Sequence, residues 1–448
     1  MSFPIYPSYI GSGSEWIGLI PCGWKMAPVR TVATCNDDVL DEKTPPDRSL
    51  DYVEIGDVSA VGGVLGMTTM AFKAAPSRAR RLVQHGDVIV STVRTYLRAI
   101  APIRQPPETM VVSTGFAVFR PRNVDPNFLS YVFQAEFMIS EVISRSVGVS
   151  YPAINARDIG KISIPLPDPA EQAAIAAFLD RETDKIDAGV HEQERLIALL
   201  EEKKRALILL AVTKGLDADA PQVDSGIAWI GSMPVGWRSE KLKRVSPEIT
   251  VGVVVMPSQY YVDDGVIALR SFNVQPMTVN PRDPVYFSPD TNDQLKKSKL
   301  NSGDLVAVRT GNPGTTAVVS EELDGVNCID LIIIRKSEQF DSRFLAYVMN
   351  SDVCRIQYEM GSEGALHKHF NVETAANLRF VCPDVDVQVA IVAYLDAEVG
   401  KHDSLILEAK MTTALLVERR KALISAAVTG KIDLRASVEI APIAQAAE

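Results

Sequence analysis

A framework that recurs after 213 to 216 residues confines this chain to architectures with two equivalent lobes. Trp16-Ile17-Gly18-Leu19-Ile20-Pro21-Cys22-Gly23-Trp24 returns as Trp229-Ile230-Gly231-Ser232-Met233-Pro234-Val235-Gly236-Trp237, with six of nine positions identical. Glu171 to Asp187 returns as Val387 to Asp403, with nine of seventeen identical, and Arg205 to Thr213 returns as Lys421 to Thr429, with six of nine identical. Between the matched stretches the two copies have diverged almost completely. A repeated frame carrying two unlike inserts suits a molecule that reads two different things at a set separation.

The 448 residues allow two to four domains with proper cores, and a chain 46% hydrophobic and 23% charged is of ordinary globular type. No run of eighteen apolar residues occurs, and the N-terminal MSFPIYPSYI lacks the charged-then-apolar order of a secretory signal. The expectation is a cytoplasmic protein with no membrane role. Five widely spaced cysteines, Cys22, Cys35, Cys328, Cys354 and Cys382, give no zinc spacing and suit reduced thiols.

A net charge of -10 argues against a polyanionic partner. The local distribution points the other way. Lys73 to Arg104 holds seven basic residues against Asp87 alone, a local +6, whereas residues 169–217 hold ten acids and seven bases. One face can attract phosphate while the mean charge is negative, and the alternative is a solvated basic surface.

Residues 1–168 alternate short β-rich runs (Asp87 to Val93, Val111 to Phe119) with turns and a helical stretch, Asn127 to Ser144, as expected of a compact α/β domain. Residues 218–384 are its counterpart, with strand-like runs at Asp304 to Val308 and Cys328 to Ile334 and a helical stretch from Ser342 to Tyr358. Asp125-x-x-Phe128-Leu129-x-Tyr131-Val132 aligns with Asp341-x-x-Phe344-Leu345-x-Tyr347-Val348, so the inserts share a fold. Prolines at Pro165, Pro167, Pro169 and Pro383 end the last strand of each insert and admit a helix start.

Residues 169–217 and 385–434 then form long helices, and 435–448 are expected to be a disordered tail. Ile175, Leu179, Ile186, Val190, Ile197, Leu200, Leu207 and Ala211 recur at steps of three, four or seven, the seam of a coiled coil. Ile391, Leu395, His402, Ile406, Thr413, Leu416, Leu423 and Ala427 hold the same phase, with His402 and Thr413 weakening that seam. Two helices of equal phase can bury both stripes about a pseudo-twofold axis. A helix from Glu171 to Thr213 would be roughly 65 Å long and could act as a ruler.

With the Trp-Ile-Gly-x-x-Pro-x-Gly-Trp starts, the exit from Pro165 to Asp180 and the close from Arg420 to Ile432, the chain resembles the specificity subunit of a Type I restriction-modification enzyme. The resemblance covers nearly the whole chain. The first copy departs at Lys214-Gly215-Leu216, where the second has Gly430-Lys431-Ile432, and the second exit has Val387-Gln388 in place of Glu171-Gln172. The resemblance implies two α/β target recognition domains separated by two long antiparallel coiled-coil helices. Each domain would read part of a two-part asymmetric target in double-stranded DNA. Two modification subunits, carrying S-adenosylmethionine and methylating a flipped adenine, and restriction subunits using ATP and Mg would be the partners. No cofactor is expected in this chain.

The chain is expected to be non-catalytic. It has no Asn-Pro-Pro-Tyr tetrapeptide and no Walker motif. A nuclease pattern forced from Pro383-Asp384 and Glu408-x-Lys410 would fall on a helix surface. For contact with DNA, residue chemistry in loops favours Lys73, Arg94, Thr95, Tyr96, Arg98, Ser150 and Tyr151 in the first insert. In the second it favours Arg309, Thr310, Asn312, His367, Lys368 and His369, with Arg309-Thr310-Gly311-Asn312 in the place of the Arg94 loop. The histidines have no partner at metal-ligand spacing, so phosphate is the better fit. Two alternatives are a fused enzyme, opposed by the missing motifs, and a protein-interaction scaffold or repressor without a modification partner, opposed by the local +6.

Overall fold

The computed structural model describes residues 3–59, 63–148, 151–360 and 370–435. The chain forms two compact units: Met1–Arg195 with Lys410–Glu448, and Leu196–Ala409. Each unit is an α/β domain joined to half of each long helix. The first helix runs Pro169–Lys214 and the second Val385–Val428, so both are continuous elements of more than forty residues.

In the first unit an antiparallel sheet has the order Ile100–Pro102, Val88–Ser91, Phe116–Pro121, Ala33–Cys35. A second sheet has the order Thr68–Ala71, Ser49–Val53, Met110–Ser113, Ala79–Leu82, with a parallel pair at its centre. The second unit repeats the plan. Its antiparallel sheet is Ile249–Val251, Leu331–Ile334, Leu305–Val308, Thr316–Val318, and Val266–Leu269 pairs in parallel with Asn327–Cys328 in the other. Divergence is at the edges. Where the first unit has the strand Ala79–Leu82, the second has a 3-10 turn, Lys296–Ser298, and a single bridge from Lys299 to Asn327.

The alternating apolar runs are core strands, as their periodicity predicts, but two are interrupted. Val111 to Phe119 divides at Thr114-Gly115 between two sheets, and Cys328 to Ile334 divides at Asp330, whose φ of 52° turns the chain. The helical stretches divide too. Pro126–Gln134 and Glu136–Arg145 are separated by an extended Ala135, and the Glu136 N–H that this break frees donates to Ser425 Oγ on the second long helix at 3.0 Å. Ser342–Asn350 and Asp352–Met360 part at Ser351 in the same way. A partner from distant sequence makes the break affordable, and helical periodicity carries no signal of it.

Phe116, Phe119, Phe128 and Phe133 are fully buried in the first unit, each contributing about 1.5–3 kcal/mol by removal from water. The core continues into the helices. Ile175, Leu179, Ile186 and Val190 are buried with Leu423 and Ala427 in the first unit, where Gly189 approaches Leu416, and Ile391 and Leu395 are buried near Ala211 in the second. Ile406 is buried, whereas Ile197, Leu200 and Leu416 are only half-buried. His402, at a seam position, is buried with its Nδ1 2.8 Å from the Glu398 carbonyl. The pairing is antiparallel: Asp187 bonds Arg420 at 2.9 Å in the first unit and Lys204 bonds Asp403 at 2.6 Å in the second. These ion pairs are counterparts in the duplication.

Each domain is tied to its helix by the same polar contacts. Gln172 donates to the Pro167 carbonyl at 2.8 Å and accepts from Asp125 N at 2.9 Å; Gln388 donates to Pro383 and accepts from Asp341 N, both at 2.8 Å. Tyr131 donates to Asp180 and Tyr347 to Asp396, each at 2.8 Å, and Arg104 and Arg343 pair with the same two carboxylates. The repeated ties are therefore the glutamine and the tyrosine–aspartate bond. Glu171, which Val387 replaces in the second copy, serves the first unit alone by accepting from Tyr6 and from Trp24 Nε1.

Candidate functional site

The charged segment Lys73 to Arg104 is partly neutralised when folded. Asp47 takes Lys73, Glu54 takes Arg78, Glu136 takes Arg98 and Asp180 takes Arg104, at contacts of 3.0 Å or less. Carboxylates from elsewhere thus take four of the seven cations, and the charge that remains is carried by Arg80, Arg81 and Arg94. Arg80 lies over the Phe72 ring at 5.0 Å. Among the described residues, Arg81 and Arg94 make no ion pair.

Arg94 and Tyr151 are brought together by a short ladder. Arg94 N donates to the Pro152 carbonyl and Ile154 N to the Thr92 carbonyl, both at 2.8 Å, with a bridge between Val93 and Ala153. Arg94 (φ 49°) and Arg98 (φ 53°) bracket a 3-10 turn over Thr95–Leu97 in the left-handed region, where few side chains other than glycine, asparagine and aspartate sit without strain. The turn presents Tyr96 outward, and the Arg94 guanidinium lies 5.1 Å over the exposed Tyr151 ring. Thr95 is buried against Ser146 at 3.0 Å and Arg98 is held by Glu136, so these two support the turn from within. Ser150 lies outside the described residues.

In the second unit Phe370 N donates to the Arg309 carbonyl at 3.1 Å, the role that Ile154 N plays toward Thr92. Arg309 therefore takes the place of Thr92 and not of Arg94, whose left-handed position belongs to Gly311 at φ 95°. The expected alignment of the two loops is corrected by two residues. Arg309 pairs with Asp330 at 2.7 Å, Thr310 also reaches Asp330, and Asn312 is exposed. His367, Lys368 and His369 lie outside the described residues.

Beside the Thr92–Ile154 rung, a cavity of about 580 Å³ opens in the first unit. Around it stand Asn36, Arg81, Thr114, Asn155, Arg157 and Lys161, a set that residue chemistry in loops does not single out. The Arg80-Arg81 dipeptide lies in a strand, so its two side chains point to opposite faces, and only pairing tells which one meets the cavity. A second cavity of about 510 Å³ in the same unit is acidic, lined by Asp180, Asp184 and Asp187 against Arg104 and Arg420. Burial raises the Asp187 carboxyl above the usual range, an effect that Arg420 opposes. Among the described residues no group of three metal-binding side chains occurs, and no helix is long and apolar enough to cross a membrane.

A family model described as Type I restriction modification DNA specificity domain matches residues 77–196. That span ends where the first unit's share of the long helix ends. The Type I restriction enzyme StySPI specificity subunit of Salmonella potsdam is 23% identical over 404 residues, covering 87% of this chain and 84% of that protein. The Type I restriction enzyme MjaVIII specificity subunit of Methanocaldococcus jannaschii is 23% identical over 332 residues, covering 72% of this chain and 75% of that protein. A solved structure described as "Structural basis underlying complex assembly and conformational transition of the type I R-M system" has the same fold, with a TM-score of 0.69 at 24% identity over 92% of this chain and 99% of that one.

Proposed function

We propose that the chain is a DNA specificity subunit of a Type I restriction-modification enzyme, one that reads a two-part asymmetric DNA target and directs partner subunits to it. The observation that carries this reading is one frame holding two chemically unlike readers. Both units use the same tie, Gln172 or Gln388, and the same Asp187–Arg420 or Asp403–Lys204 pairing. Yet at one structural position Thr92 lines an open cationic cavity, while Arg309 is neutralised by Asp330. Equal frames with unlike donor and acceptor sets select unlike base sequences, because base edges are discriminated by hydrogen-bond pattern.

The Arg94–Tyr151 pair and the Arg309 loop are the parts of each reader placed toward DNA, with Tyr96 and Asn312 beside them. The paired helices hold the two half-sites at a set gap. The duplicated frame would offer two near-equivalent surfaces for two modification subunits, which supply S-adenosylmethionine and the methyl transfer, and restriction subunits supply the ATP- and Mg-dependent steps. This chain's work is binding and positioning, in the cytoplasm.

The test is single-molecule sequencing of adenine methylation in a host expressing this chain with its modification subunit, compared with the same host lacking this chain. A new asymmetric two-part motif with a constant gap is expected. Assembly of the complex with no new methylation would refute the reading and favour a protein-interaction scaffold.

A further inference from the structure

We propose that the cavity around Arg81 in the first unit is a seat for a single backbone phosphate of DNA, distinct from the Arg94–Tyr151 turn beside it. The proposal rests on the reading of this domain as a DNA-binding module. It begins with Arg81 itself. Its Nε is sealed from solvent with no hydrogen-bond partner, and among the described residues the guanidinium has no carboxylate to pair with. A half-buried cation left in this way is costly unless an anion completes it.

The rest of the lining is biased toward donation. Asn36 sits at φ 61° with its Oδ1 taken by Val118 N at 2.9 Å, which leaves the amide NH₂ as its free end. Arg157 is exposed and makes no ion pair among the described residues. The one acid in the lining, Asp158, is held by Lys161 at 2.7 Å, and that contact keeps its carboxyl below the usual range. Two guanidiniums, an amide NH₂ and a Thr114 hydroxyl therefore face a space whose only carboxylate is already paired. An acceptor-only, charged group answers that set. A guanine edge also presents two acceptors, but it is neutral and would leave Arg81 without a counter-charge.

The position fits a clamp on the backbone. The cavity shares the Thr92–Ile154 rung with the ladder that carries Arg94 and Tyr151, so a strand read by the turn would run beside the cavity. In the second unit the residue equivalent to Thr92 is Arg309, paired with Asp330, so among the described residues the seat is found in the first unit. The two half-sites then differ in salt dependence as well as in sequence.

The experiment uses the full chain with its modification subunit and fluorescein-labelled duplexes with and without the methylated motif, titrated by anisotropy across a salt series. Arg81→Ala and Arg157→Ala are each expected to weaken both duplexes by the same factor, on the order of tenfold. The slope of log affinity against log salt should fall by about one for either variant, and by about one again in total, not two, for the double variant, because both side chains serve one phosphate. Arg157 is exposed, so its variant tests the seat without touching the core. A loss confined to the motif-bearing duplex would overturn the proposal in favour of base reading, and unchanged affinity in folded variants would overturn it outright. If the unaltered complex bound neither duplex, the DNA reading itself would fall first.

Discussion

Asp87 is wholly buried and receives two hydrogen bonds from Arg120, at Nε and Nη2, each 2.9 Å, and a third from Gln84 N at 2.9 Å. Arg120 keeps a second, more exposed partner in Asp38. Replacing Asp87 with alanine leaves a guanidinium that is 19% exposed with Asp38 alone as its counter-charge, and leaves the Gln84 N–H without its acceptor. Breaking a buried pair from one side costs about 3–5 kcal/mol. For a unit of this size each kcal/mol lowers the melting temperature by about 2–4 °C, so a loss near 4 kcal/mol corresponds to about 8–16 °C. Urea unfolding of Asp87→Ala, Arg120→Ala and the double variant measures the coupling, and hydrogen exchange assigns the loss to residues of the first unit. The double variant should be milder than the sum of the singles by about 2 kcal/mol, within the range seen for residues sharing a network. Asp304→Ala, which removes the equivalent partner of Arg335, should place its loss in the second unit. Single variants that add, or an Asp87→Ala cost under about 1 kcal/mol, would refute the account.

Gly430 has φ 70°, and a Cβ there would come within 2.3 Å of the Pro21 ring, which cannot yield; Gly430→Ala should lower the stability of the first unit by about 2 kcal/mol or more in a thermal melt, and Gly215→Ala, 3.2 Å from Trp237, by less. Because burial raises the Asp187 carboxyl, the folded chain holds that proton more tightly than the unfolded chain does. Its stabilising contribution is complete below the ordinary aspartate value of about 3.9 and is lost as pH rises through the raised folded value. Asp187→Asn should flatten that part of the stability–pH curve, as followed by urea midpoints from pH 4 to 7.

The duplication made the plan legible without coordinates. Matched spacing implies matched lobes, and a seam of Ile175, Leu179, Ile186 and Val190 in phase with Ile391 and Leu395 implies paired helices, because local periodicity survives folding unchanged. Even the repeated Asp125 and Asp341 are N-caps whose role is written locally, accepting from Phe128 N and Phe344 N. Tertiary structure decided the rest, since it depends on partners far apart in the chain. Whether Lys73, Arg98 or Arg104 is available depended on Asp47, Glu136 and Asp180, and whether Arg309 matches Arg94 or Thr92 depended on the Phe370 hydrogen bond. Arg81 is one of seven cations in a basic run until strand pairing buries its Nε beside a cavity. Charge and shape at a surface are sums over the folded chain. Sequence alone determined the frame, and folding determined which side chains are left free to read.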